Sequence, residues 1–405
     1  MTGRGSGEGS PSVLWLFGPP GVGKTTVGWS LYRAWSAEGT PTAYVDIDQL
    51  GMLYPTPDPR NHRVKAQNLA VVFRSFLAAG MRRLIVSGVV DPDEMADFAR
   101  AGAGAGWVWC RLTASTDDVR DRLVRHRDQP DMIDDAVAHA RLLEDHEVAG
   151  HALADISVDT TGRSVDEVVA SVRAAVESRP PDLPSRIIPA GRSDENAADL
   201  AGAAMPGGRP LTAIAVTGPR AVGKSTVAWE VFQRVQREGH VSAFVDLEQV
   251  GFLSVGVPSA RARAVGDVGD ARDAREVRAA NAGAMARVFA GSGATVLVLS
   301  GAIVGPEEQA AYSAALAPAE LTVARLEAGE ASVRERVAHR AVQRTLHLPG
   351  DDLRGLSAEA KHEVVERSMR EAADLVAAGV GHPVGTDGRF VERIAEDVLA
   401  LRRGA

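Results

Sequence analysis

The run Gly18-Pro19-Pro20-Gly21-Val22-Gly23-Lys24-Thr25 recurs 200 positions later as Gly218-Pro219-Arg220-Ala221-Val222-Gly223-Lys224-Ser225. Both copies satisfy Gly-x-x-x-x-Gly-Lys-[Ser/Thr], and both follow a short apolar run. The pattern dictates a strand, a loop that wraps phosphate with backbone N–H groups, and a helix that starts at the lysine. Lysine usage sharpens the signal. Only four of the 45 Lys and Arg residues are lysine, and two of those four sit in these loops. A compact ammonium on a flexible stem reaches β- and γ-phosphates where a wide planar guanidinium does not fit. The chain is expected to bind nucleotide.

At 405 residues the chain is too long for one ordinary core and suits two domains. Gly18 to Leu53 aligns with Gly218 to Leu253 without a gap, with about 16 of 36 positions identical. The register then slips by 13, so that Asn68 meets Asn281 and Val86-Ser87-Gly88 meets Leu299-Ser300-Gly301. The second half therefore carries a 13-residue insertion between Ser254 and Val277. The expected layout is a disordered tail at 1–11, a first domain at 12–178, a Pro/Gly-rich linker at 179–209 and a second domain at 210–405.

Strands are expected at Val13–Phe17, Thr42–Val45, Leu84–Val86, Trp107–Leu112 and Asp155–Val158, with helices at Lys24–Ala37 and Val165–Glu177. The second half repeats this with strands at Leu211–Val216, Ser242–Val245, Thr295–Leu299, Leu321–Leu326 and Pro383–Gly385, and a last helix over Phe390–Leu401. With the two glycine loops, such alternation gives an α/β fold: two tandem P-loop NTPase domains, each a five-stranded parallel sheet flanked by helices. Ligands then bind beyond the carboxyl ends of the strands.

Gly18, Gly21, Val22, Gly23, Lys24, Thr25 and Thr26 form the first candidate nucleotide site, and Gly218, Val222, Gly223, Lys224, Ser225 and Thr226 the second. Thr25 and Ser225 supply hydroxyls for Mg²⁺. The second strand closes on Asp46-Ile47-Asp48, matched by Asp246-Leu247-Glu248. Residues two apart share a strand face, so each acidic pair should project together beside the phosphates. A solvated turn or a helix cap is the plain alternative. The functional reading sets one carboxylate of each pair near Mg²⁺ and the other at a substrate hydroxyl.

Loop, helix and strand-end acids together resemble the small-molecule kinases of the shikimate, gluconate and adenylylsulfate kinase type. The resemblance implies nucleotide-kinase-like P-loop NTPase domains and transfer of the ATP γ-phosphoryl group to a small-molecule hydroxyl. It gives Asp46 and Asp246 the part of assisting Mg²⁺, and Asp48 and Glu248 that of binding substrate hydroxyls. It implies that Ser87-Gly88 and Ser300-Gly301 turn beside substrate, and that Asp159 to Gly162 and Gly385 to Gly388 form the adenine-side turn. It also implies an Arg-bearing lid helix after the fourth strand. Here that helix carries Arg120, Arg122, Arg125 and Arg127, or Arg334, Arg336, Arg340 and Arg344. Arg122 and Arg336 align and are the candidate catalytic arginines, with a solvated helix face as the alternative. The Gly-Gly-Gly substrate loop of shikimate kinases is replaced by Ser87-Gly88-Val89-Val90, and no Arg follows the acidic pair as in adenylylsulfate kinases, so neither substrate is implied.

Other classes are excluded by missing pieces. No Asn/Thr-Lys-x-Asp reads guanine, no Gly-Gly-Gln marks an ABC ATPase, and the third strand ends in Ser-Gly rather than adjacent acids. The formal charge of −8 offers no basic footprint for nucleic acid, and no stretch is long enough to span a membrane. The single cysteine, Cys110, reads as a buried thiol in a reducing cytoplasm. His126, His146 and His151 read as surface residues. Two rivals to a kinase remain: an ATP-binding switch that regulates a partner, and a hybrid with one catalytic and one degenerate half.

Overall fold

The computed structural model describes residues 10–127, 132–148, 152–180, 185, 210–255, 271–342, 349–351 and 353–403. Most of the expected linker, residues 256–270 in the region of the insertion, His151 and Arg344 lie outside them, as do the side chains of Arg125, His126 and Arg127.

In the first half, β1 (Ser12–Phe17) runs through the loop into α1 (Lys24–Ala37), then β2 (Thr42–Asp46) and a short 3-10 turn at Ile47–Leu50. There follow β3 (Leu53–Tyr54), α2 (His62–Ala78), β4 (Arg83–Ser87), α3 (Met95–Ala101) and β5 (Gly106–Thr113). The half closes with α4 (Thr116–Arg127), α5 (Met132–Val148), β6 (Ile156–Asp159) and α6 (Val165–Glu177).

The second half repeats the plan with β7 (Thr212–Thr217), α7 (Lys224–Arg237), β8 (Ser242–Asp246), β9 (Phe252–Ser254) and α8 (Ala271–Gly291). Next come β10 (Val296–Ser300), α9 (Pro306–Leu316), β11 (Glu320–Glu327) and α10 (Glu330–Val342). Last are α11 (Ala358–Ala377), β12 (His382–Gly385) and α12 (Val391–Arg403).

Five parallel strands are present in each half, in the order β6-β5-β1-β4-β2 and β12-β11-β7-β10-β8. Each P-loop strand is central and buried on both sides, which is why β1 reads Val-Leu-Trp-Leu-Phe with no alternation. Trp15 stacks on Trp107 and Trp109 on one face, while Leu14 and Leu16 meet Val27 and Leu31 of α1 on the other. Cys110 is buried in β5, as expected.

Each sheet also has a sixth strand that the motif reading did not anticipate, and each comes from the other half. β9 runs antiparallel to β2, pairing Thr42 with Ser254, Ala43 with Leu253 and Tyr44 with Phe252. Reciprocally, β3 runs antiparallel to β8, pairing Leu53 with Ala243 and Tyr54 with Ser242. The side chains follow. Phe252 enters the first half's aromatic cluster, 4.7 Å from Trp29 and 6.2 Å from both Tyr32 and Tyr44. Met52, at the matching position, packs on the core around Phe232 and Phe244. Helices α2 and α8 meet between the sheets, so Leu69, Phe73 and Phe76 share one continuous core with Ala282, Met285 and Phe289.

A shared core predicts one cooperative unfolding transition for the whole chain. Urea denaturation followed by tryptophan fluorescence and by circular dichroism should give superimposed curves. Phe252→Ala should destabilise the chain by about 2–3 kcal/mol without splitting the transition. Two separate transitions in the unaltered protein would contradict the shared core.

Candidate functional site

Each P-loop lies at the carboxyl end of its central strand and ends at a helix N-terminus, Lys24 and Lys224 being the first helical residues. Lys24 Nζ donates to the carbonyls of Gly18 and Pro19, both at 2.8 Å. Lys224 Nζ does the same to Gly218 (3.1 Å) and Pro219 (2.9 Å). Both ammonium groups are thus folded under their own loops. The loops differ at one backbone position. Gly21 has φ +84°, and Ala221 holds φ +59° in its place. A left-handed alanine costs about 1 kcal/mol, so the second cradle carries strain that the first does not.

Asp46 ends β2, and its carboxylate is fixed by short-range bonds. It accepts from the Thr25 hydroxyl (3.1 Å) and from the backbone N–H of Asp48 (3.1 Å). Ser87 lies 3.4 Å from the same carboxylate and 2.7 Å from the Tyr44 hydroxyl. Burial, then the nearby Asp48, push the Asp46 pKa up to about 6. Asp246 rises to about 6 for the same reasons, with Glu248 as its acidic neighbour. Its carboxylate accepts from Glu248 N–H (3.0 Å), but position 244 is Phe, so the second half lacks the tyrosine hydroxyl.

The strand alternation expected for Asp46 and Asp48 does not hold. β2 stops at Asp46, which caps the 3-10 turn, and Asp48 lies inside that turn. The two carboxylates therefore diverge: Asp46 faces the loop hydroxyl, while Asp48 binds Lys65 Nζ at 2.6 Å. Glu248 pairs with Arg278 at 3.3 Å in the same way. In each half the long cation crosses a glycine. A Cβ on Gly51 would lie 2.5 Å from Lys65 Cγ, and one on Gly251 2.2 Å from Arg278 Cγ. Sequence reasoning passed over Lys65 and Arg278. Their signal was the scarcity of lysine and the 13-residue slip, which aligns 65 with 278.

The candidate arginines bind the loop backbone and the turn after the last strand. Arg122 donates to the Thr160 carbonyl (2.7 Å), the Thr160 hydroxyl (2.9 Å) and the Val22 carbonyl (3.4 Å). Arg336 repeats this on Val222 (2.8 Å) and on the Thr386 hydroxyl (3.0 Å) and carbonyl (3.3 Å). Each clamps its P-loop to the turn after the last strand. The other described arginines of the α4 and α10 sets pair with neighbouring acids: Arg120 with Asp117, Arg334 with Glu330 and Arg340 with Asp351.

A cavity of about 670 Å³ opens beside the first loop, lined by Pro20, Asp48, Lys65, Arg60, Glu94 and His139 among others. A cavity of about 780 Å³ opens at the second, lined by Lys224, Ser225, Asp246, Glu248 and Arg278. There α11 leans on the loop. Glu371 accepts from the Arg220 N–H (3.0 Å), and the Ser368 hydroxyl donates to the Arg220 carbonyl (2.6 Å). The first loop has Pro20 at that position, which has no N–H to give.

The raised Asp46 pKa has a sign that can be checked. A carboxyl that holds its proton more tightly when folded favours folding below its unfolded pKa and loses that contribution as pH rises through 6. Asp46→Asn should therefore stabilise the ligand-free chain at pH 8, on the order of 1–3 kcal/mol, with the difference vanishing by about pH 4. Chemical denaturation at the two pH values checks it.

No protein-family model and no curated protein matches the chain. Among solved structures, a gluconokinase from Sinorhizobium meliloti 1021 is similar at 18% identity over 49% of this chain and 95% of that one, TM-score 0.33. A shikimate kinase from Acinetobacter baumannii in complex with shikimate aligns at 15% identity over 42% and 94%, TM-score 0.30. The Mycobacterium tuberculosis APS kinase in complex with AMPPNP and APS aligns at 15% identity over 48% and 99%, TM-score 0.28. Each covers about half of this chain. Among the described residues, no helix is long and apolar enough to cross a membrane.

Proposed function

We propose that the chain is an ATP-dependent phosphotransferase that moves the γ-phosphoryl group to a hydroxyl of a small molecule, with the first half as its principal seat. The observation that carries this reading is the divergence of Asp46 and Asp48. One carboxylate is bonded to the loop hydroxyl of Thr25, and the other lines the adjoining cavity beside Lys65.

The residues divide the work accordingly. Lys24 leaves the Gly18 and Pro19 carbonyls for the β- and γ-phosphate oxygens, and loop amides from Gly21 to Thr26 hold the remainder. Thr25 and Asp46 would hold Mg²⁺; one hydroxyl and one carboxylate suit an ion that keeps waters and takes its other ligands from phosphate. That ion would neutralise charge on the transferring phosphoryl group. Asp48 orients the acceptor hydroxyl and takes its proton, with Lys65 fixing the carboxylate. Arg122 acts as a positioning residue that holds the loop against the Thr160 turn. In the second half Lys224, Thr226, Ser225, Asp246, Glu248, Arg278 and Arg336 are the counterparts. The strained Ala221 and the Glu371 contact favour a slower or regulatory role for that half, which is the hybrid reading.

Two Mg·ATP should bind per chain in titration calorimetry, Lys24→Ala and Lys224→Ala each removing one. A stoichiometry of one in the unaltered protein contradicts the two-site reading. Once an acceptor is found, by metabolite screening in the presence of a non-hydrolysable ATP analogue, Asp48→Asn should leave nucleotide affinity nearly intact. Its single-turnover transfer should fall about a hundredfold. A larger loss in Glu248→Gln would move the principal seat to the second half.

A further inference from the structure

The second cavity is not walled by the second half alone. Trp29, Tyr32 and Arg33, all on α1 of the first half, line it together with Lys224, Glu248 and Arg278. The strand exchange explains their presence. With β9 laid against β2, Phe252 seats on Trp29, and the outer face of α1 comes to rest over the segment that follows Glu248. Arg278 lies near enough to Tyr32 to act on its hydroxyl electrostatically, so α1 and α8 face each other across this end of the cavity.

The arrangement is one-sided. Among the described residues, the first cavity is lined by residues of the first half only. The position matching Arg33 is Gln233, a neutral amide. The cations of the second cavity are mostly committed: Arg278 to Glu248, Arg340 to Asp351 and Arg367 to Glu371, and Arg220 and Arg275 also have partners. Arg33 is exposed and, among the described residues, makes no ion pair or hydrogen bond. An uncommitted guanidinium opposite a phosphate cradle is a donor fork without an acceptor, and its planar geometry suits carboxylate or phosphate oxygens.

We propose that the acceptor site of the second half is composite, and that Arg33 of the first half binds an anionic group, carboxylate or phosphate, on the molecule that enters it. The inference rests on the reading that the second half also takes nucleotide and an acceptor. It makes the two halves differ in substrate preference, because among the described residues the first cavity receives no such cation from its neighbour.

The test uses the full chain saturated with Mg²⁺ and a non-hydrolysable ATP analogue, so that both loops are filled. Inorganic phosphate and malonate are then titrated separately by calorimetry. At least one anion should bind, and Arg33→Ala should weaken it about tenfold or more, with Arg33→Lys recovering part of the loss. The anion that responds tells phosphate from carboxylate. The exposed position of Arg33 predicts an unchanged melting temperature for both variants, which separates a binding role from a structural one. Two analogue molecules bound, with neither anion binding or with binding indifferent to Arg33→Ala, would overturn the composite site alone. One analogue bound, unaffected by Lys224→Ala, would instead overturn the reading of the second half, and the composite site with it.

Discussion

Strands β2 and β8 each end a parallel sheet, and each would leave a row of unpaired N–H and C=O groups along its outer edge. Each edge is covered by a short antiparallel strand from the other half, two or three residues long. Main-chain bonding alone over so short a ladder is weak. The side chains that enter with it fix the pairing: Phe252 among Trp29, Tyr32 and Tyr44, and Met52 on the core around Phe244. Behind these ladders α2 and α8 fill the space between the sheets, and the two halves become one hydrophobic body. Because β3 and β9 begin only a few residues after Asp48 and Glu248, each acidic turn is tethered at one end by its own sheet and at the other by its neighbour's.

That tether bears on the chemistry. The 3-10 turn that separates Asp46 from Asp48 is short, and Gly51 lets Lys65 cross it closely enough to hold Asp48. The acids are thereby given different surroundings. Asp46 is buried against a loop hydroxyl with its pKa raised to about 6, and Asp48 lies at the cavity beside an ammonium. Two carboxylates with different partners can take two roles, which is the requirement of a site that binds a metal–nucleotide and activates a hydroxyl. The same plan in the second half has been altered piece by piece: alanine in a left-handed loop position, phenylalanine for tyrosine at 244, and Glu371 on the loop's Arg220 N–H.

Much of this was legible in the sequence, and the exceptions have physical causes. The parallel strands and α1 fall where apolar runs and the glycine loops place them, because buried central strands admit little else. The exchanged strands were not legible: two or three residues carry no periodicity, and their partners lie in the other half of the sequence. Asp48 is expected to project with Asp46, but the two diverge because alternation along β2 ends at Asp46. Arg122 and Arg336 align in sequence, yet their donors go to backbone carbonyls and threonine hydroxyls, a contact that sequence spacing cannot reveal. Lys65 was visible only as an oddity, a lysine kept where the chain prefers arginine.

A crystal structure of the chain with Mg²⁺ and a non-hydrolysable ATP analogue tests the central claim most directly. Lys24 Nζ should have left the Gly18 and Pro19 carbonyls for the β- and γ-phosphates, with Thr25 and Asp46 turned to the metal. Asp48 should face the terminal phosphate across the open cavity, still held by Lys65. A nucleotide bound with Asp48 directed away from the terminal phosphate, or a first loop that takes no nucleotide at all, would contradict the account.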